Sequence, residues 1–193
     1  MISPVRNLPS PVICSRTVAA GFSLLEIMIV VVIMGILVSI FTLSMGSFSD
    51  DATSEHARRL EALINLATEE ASMQGREIGL RFYQHGYEFS TRIPDLNEDG
   101  VLIWRWLPLE DDKLLKARDL GEDFAVDLII EGKEVDLDYD RKEDEEYKPQ
   151  IYLFSSGDLA PPFNARIRSS FSDHAVLIIA EIDGKVEVKP DDL

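Results

Sequence analysis

Residues 19–41 read AAGFSLLEIMIVVVIMGILVSIF, and between Phe22 and Phe41 the sole ionisable side chain is Glu26. At about 1.5 Å rise per residue, a helix of that length covers roughly 30 Å, the hydrocarbon thickness of a bilayer. Leu, Ile, Val and Phe each favour insertion by about 0.3–0.6 kcal/mol, against about 3 kcal/mol for a carboxylate at mid-membrane and less near an end. The apolar sum wins, and a membrane span is predicted over about residues 22–45. Arg6 and Arg16 precede the run, whereas Asp50 and Asp51 are the first charges after it. The positive-inside rule therefore sets the N-terminus in the cytoplasm and the body on the far side.

Glu26 needs an explanation. Ser44-Met45-Gly46 has the small-x-small look of a signal-peptidase site, but a signal h-region is usually about 7–15 uncharged residues. A plain anchor leaves the carboxylate unexplained, because acids within a membrane are usually paired. Cleavage between Gly21 and Phe22 would supply the partner, an α-amine that is largely cationic at neutral pH. In a bundle, the amine of one helix meets the carboxylate of the next in low dielectric. Glu26 then sets the register between stacked helices.

The body is acidic. The 193 residues carry 19 basic and 35 acidic side chains, a formal charge of −16, and Arg6 and Arg16 lie in the leader. Such a chain repels polyphosphate, so no nucleic-acid partner is expected. Cys14 is the single cysteine, which excludes an intramolecular disulfide.

Beyond the span, DDATSEHARRLEALINLATEEASMQG places Ala57, Leu60, Leu63, Ile64, Ala67 and Ala71 at spacings of three and four, one face of an amphipathic helix. Gly75 is the natural stop. After it the period becomes two: Ile78, Leu80 and Phe82 alternate with Glu77, Gly79 and Arg81, and Gln84-His85-Gly86 turns into YEFS. Further strands are predicted at 101–107, 125–130, 134–137, 151–154 and 164–168, then at 175–182 and 185–189 joined by Asp183-Gly184. The expected fold is α+β. A long N-terminal helix, membrane-spanning in its first half and amphipathic in its second, packs on a mostly antiparallel β-sheet head. The boundaries are a cleaved basic leader at 1–21, the helix at 22–75 and a β-rich head at 76–193.

Other motifs weigh less. DLNEDG at 95–100 offers Asp95, Asn97 and Asp99 at calcium-loop spacing, but the twelfth position is Trp106 rather than a bidentate acid. A polar turn is the expected reading. The acid-rich stretch 136–146 is expected to be a solvated loop insertion. Ser172, Asp173 and His174 are neighbours in sequence, which is no evidence of a triad. Trp104 and Trp106 are read as core or interface residues. No phosphate loop, CxxC or HExxH occurs; neither enzymatic activity nor a cofactor is expected.

Gly21-Phe22, Glu26 four positions on and an apolar helix resemble the class III signal of type IV pilins and type II secretion pseudopilins. Thr17 to Ala20 stand where that family often carries a basic residue. The resemblance implies that a prepilin peptidase cuts after Gly21 and N-methylates Phe22, with Glu26 serving assembly. EEASMQGREIGLRFYQHGYEF and IYLFSSGDLAPPF are similar to the H-type minor pseudopilins. That likeness implies a pilin-like subunit of a periplasmic pseudopilus, anchored by one pass through a bacterial inner membrane; Glu26, which needs the amine of a subunit above it, is expected to put this one near but not at the tip. Its implied partners are other major and minor pseudopilins, the peptidase, the inner-membrane assembly platform and the membrane itself. The alternatives are a minor type IV pilin in pilus assembly or DNA uptake, and a signal-anchored periplasmic calcium- or substrate-binding module.

Overall fold

The computed structural model describes residues 23–97, 99–139 and 147–191, without the side chains of residues 41–49. The chain divides into two compact units, Met1–Phe41 and Thr42–Leu193. Helix α1, Leu24–Gln74, contributes to both.

Ser23 begins α1 from an N-cap position. The Glu26 amide donates to the Ser23 carbonyl at 3.0 Å and lies 3.3 Å from its hydroxyl oxygen, satisfying a donor the first turn would otherwise leave open. The helix ends at the predicted glycine. Gly75 adopts φ +62°, and the Arg76 amide reaches back to the Ala71 carbonyl at 3.1 Å. That is the 6→1 bond of a Schellman cap, which requires a left-handed residue.

Within the second unit, Ala57, Leu60, Leu63, Ile64, Ala67 and Ala71 are all buried, the stripe that the three–four spacing predicted. They join one core with two antiparallel sheets. The first sheet holds β1 (Ile78–Tyr83), β2 (Gly86–Leu96), β3 (Leu102–Pro108), β4 (Arg118–Asp119), β7 (Ile151–Leu153) and β8 (Leu159–Ala160). Its order is β3-β2-β1-β7-β8, with β4 beside β2. The second holds β5 (Phe124–Ile130), β6 (Lys133–Val135), β9 (Phe163–Ser169), β10 (Ala175–Ala180) and β11 (Val186–Pro190), in the order β11-β10-β9-β5-β6. Phe82 of the first sheet meets Phe163 of the second, ring centroids 5.5 Å apart. The short β4 and β8 have no counterpart in the sequence reading.

Two expectations need correction. The alternation in β1 predicted one covered face, yet all six of its residues are buried. Residues 137–139, at the start of the acid-rich stretch predicted as a solvated loop, supply part of the cover, and residues 147–150 beyond it supply the rest. Asp138 pairs with Arg81 at 3.1 Å, and its carbonyl accepts the Gln84 amide at 3.0 Å. Arg81 also lies over the Tyr147 ring at 5.5 Å. Pro149 sits where a Cβ on Gly79 would come within 2.5 Å of its Cγ, so the glycine permits the close approach. Residues 137–139 and 147–150 thus form a strap across the outer face of the sheet. Residues 140–146, the remaining part of that predicted loop, lie outside the described residues.

Candidate assembly interface

Gly21 and Phe22, the predicted processing pair, lie outside the described residues. Glu26 is exposed in the third position of α1, three residues after its cap. Ser-x-x-Glu is the spacing of a capping box, in which the acid turns back toward the start of the helix. Ser23 was missed as a functional residue, although this spacing signals it. The geometry holds Glu26 in the first turn, where an acid suits the positive end of the helix dipole.

The side chains around it are apolar on every face. Leu24, Ile27, Met28, Val31, Met34 and Leu37 are each at least half exposed within this unit. Ser39 would be the polar exception, but its hydroxyl donates to the Gly35 carbonyl at 2.9 Å, a bond that needs no water. A helix apolar all round is covered by lipid or by other helices. Among the described residues, no helix is long and apolar enough to cross a membrane; the described side chains of the run stop at Ile40, ahead of Phe41 and Leu43.

The remaining candidates serve the fold of the head. Asp95, Asn97 and Asp99 lie at the β2–β3 turn, and the oxygens of Asp95 and Asn97 are turned to local work. The Asn97 side-chain oxygen accepts the amides of Asp99 and Val101 at 3.1 and 2.8 Å, while Asp95 pairs with Arg105 at 3.2 Å. This is a side-chain-closed hairpin turn. Among the described residues no group of three or more His, Cys, Asp or Glu is placed to hold a metal. The Ser172 hydroxyl donates to Asp50 of α1 and accepts the His174 amide, so this trio closes a turn against the helix.

A cleft of about 600 Å³ is lined by Tyr83, His85, Tyr87, Glu88, Arg118 and Tyr139, among others. Burial pushes the Tyr87 phenol up to about 12. Burial, and then the hydrogen bond from Tyr83 to Glu88, raise the Tyr83 phenol as well. Both stay protonated at neutral pH, and the Tyr83 hydroxyl donates to Glu88. On α1, His56 packs edge-on against Phe124 at 4.7 Å. Burial lowers its pKa first, Arg59 lowers it further, and Glu55 opposes both.

Comparison with known proteins agrees with this architecture. The prokaryotic N-terminal methylation motif matches residues 16–42, and the family model for type II transport protein GspH matches residues 56–183. Type II secretion system protein H of Aeromonas hydrophila is 34% identical over 148 residues, 74% of this chain and 77% of that one. Its Pseudomonas aeruginosa counterpart is 35% identical over 147 residues, 73% and 78% of the two chains. The crystal structure of the minor pseudopilin EPSH of Vibrio cholerae superposes with a TM-score of 0.56 at 23% identity. That alignment covers 75% of this chain and 98% of the other, and it shares the pilin-like fold of a helix on antiparallel sheets. The family is structural rather than enzymatic. With the methylation motif at the head of its apolar helix and the family's own sheet region behind it, the chain belongs to the GspH family of type II secretion minor pseudopilins.

Proposed function

We propose that this protein is a subunit of a periplasmic pseudopilus and takes its place beneath another subunit, near but not at the tip. A prepilin peptidase removes residues 1–21, and Phe22 becomes the N-methylated first residue. Before assembly the chain spans the bacterial inner membrane once, over about residues 22–45, with the head in the periplasm. Other major and minor pseudopilins and the inner-membrane assembly platform are its partners.

One observation carries the reading: Glu26 is an exposed acid in the first turn of α1, within a stretch whose other side chains to Ile40 are apolar save Gly35 and Ser39. Alone in lipid, that carboxylate is costly. Facing the terminal amine of a neighbour it is satisfied, and a subunit at the extreme tip would have no such neighbour above it. The test is Glu26→Ala in membranes, scored by cross-linking to other pseudopilins beside the cleaved fraction. Insertion and cleavage should persist while incorporation falls, and Glu26→Asp should be milder. Wild-type cross-linking by Glu26→Ala would refute the pairing.

A further inference from the structure

The β2–β3 hairpin extends beyond the sheet that carries it. β1 pairs with β2 only as far as Thr91, and the Arg92 amide still donates to the Glu77 carbonyl at 3.3 Å; among the described residues, 93–96 have β3 as their single strand neighbour. From there to the turn the chain is a two-stranded arm, a form only marginally stable in water by itself. Its root is anchored: Arg92 pairs with Glu77 at 2.7 Å, and Trp106 packs against Tyr152 at 5.5 Å. Among the described residues, its outer part has no such support.

Register aligns the side chains of one face. Leu96 pairs with Leu102, Pro94 with Trp104 and Arg92 with Trp106, and directly paired residues share a face. Leu96 is 62% exposed, Leu102 61% and Trp104 56%, while the Arg92 guanidinium lies over the Trp104 ring at 5.4 Å. Together with Val101 at the turn, these side chains make a contiguous exposed apolar strip, and the largest such patch on a monomer, typically about 300–600 Å², is often functional. One side of a standard interface is about 800 Å², so a patch of that size suffices for the core of one. β3 is also the last strand of its sheet, and natural proteins seldom leave an apolar edge uncovered.

The charge pattern selects the occupant. Asp99 stands at the turn beside the strip, with Asp95 paired to Arg105 at 3.2 Å, and the whole chain carries −16. A second copy would set like charges against each other, and anionic lipid would repel the same acids. We propose that this arm is the docking surface for the head of a different pseudopilin, one that presents an apolar strand flanked by Lys or Arg. This rests on the pseudopilus reading above and adds the contact surface of the head to it.

A photoreactive benzophenone amino acid at position 102 or 104 of the full chain, in membranes of the native host, tests this. Positions 171 and 182, exposed apolar sites elsewhere on the head, serve as controls. The expected result is an adduct several-fold above the controls, whose cross-linked peptide belongs to another pseudopilin and contains Lys or Arg. Adding Asp99→Lys should cut that yield several-fold. Adducts to the chain's own copies, to lipid, or no stronger than at 171 and 182 would overturn the proposal. The N-terminal mass is read from the same membranes. A chain cleaved after Gly21 without the arm adduct sinks the arm alone, whereas an uncleaved chain sinks the pseudopilus reading and the arm with it.

Discussion

The side chain of Gln150 forms a strand-like pair with the backbone of Phe82. Its Oε1 accepts the Phe82 amide at 2.6 Å, and its Nε2 donates to the Phe82 carbonyl at 3.1 Å. β7 begins one residue later, at Ile151, and its ladder with β1 reaches only Leu80. One amide side chain therefore satisfies both main-chain groups of a residue whose ring is fully buried. Gln150→Ala should strand those groups and cost about 1–3 kcal/mol. At roughly 2–4 °C per kcal/mol for a chain of this size, thermal unfolding in detergent should register the loss. Gln150→Glu keeps the acceptors but lacks the donor, so it should not restore wild-type stability at neutral pH.

The strap over β1 depends on a missing side chain. An added Cβ at Gly79 would lie 2.5 Å from Pro149 Cγ and 2.6 Å from Ser90 Oγ. Gly79→Ala should cost about 1–3 kcal/mol through overpacking. Protease exposure of residues 136–149 should rise in the same variant if the strap lifts.

Ile64 is fully buried at the centre of the helix stripe. Ile64→Ala should destabilise the head by about 2–5 kcal/mol, while Glu61→Ala on the more open flank should change it by less than about 0.5 kcal/mol. Denaturant melts of the two variants separate a packed helix from one that merely adjoins the sheets.

His56 gives the head an acid-side sensitivity. Its folded pKa lies below the ordinary value of 6.5, chiefly through burial against its neighbours. Above about pH 6.5 both states hold it neutral and its contribution to stability is complete. As pH falls below 6.5 the unfolded chain binds the proton first, and stability declines until the folded pKa is passed. Stability measured between pH 7.5 and 5 should fall, and His56→Asn should flatten that component of the slope.

The legible parts of this molecule were those in which local pattern and burial coincide. The six apolar positions of the helix stripe were correct because a single face of α1 meets the core. Gly75 was readable because a helix stop needs a left-handed residue. β1 was not fully readable. Its alternating pattern is genuine, but Arg81 is buried by pairing with Asp138, a partner 57 positions away, and no local pattern carries that distance. The same holds for Trp104 and Trp106. They share a strand face, yet the end of β1 leaves Trp104 in solvent while Tyr152 covers Trp106. In the first turn, the sequence singled out Glu26 by its charge and passed over Ser23, whose hydroxyl caps the turn that holds it.

The central claim is that this chain is processed as a pseudopilin, and the mass of its N-terminal peptide, taken from membranes of the native host, tests it most directly. The account predicts a mature chain that begins at Phe22 and carries one added methyl group. Gly21→Ala should leave the precursor uncut. A soluble form that begins near Ser47, with no methylation, would instead mark an ordinary secretory signal and contradict the assembly role given to Glu26.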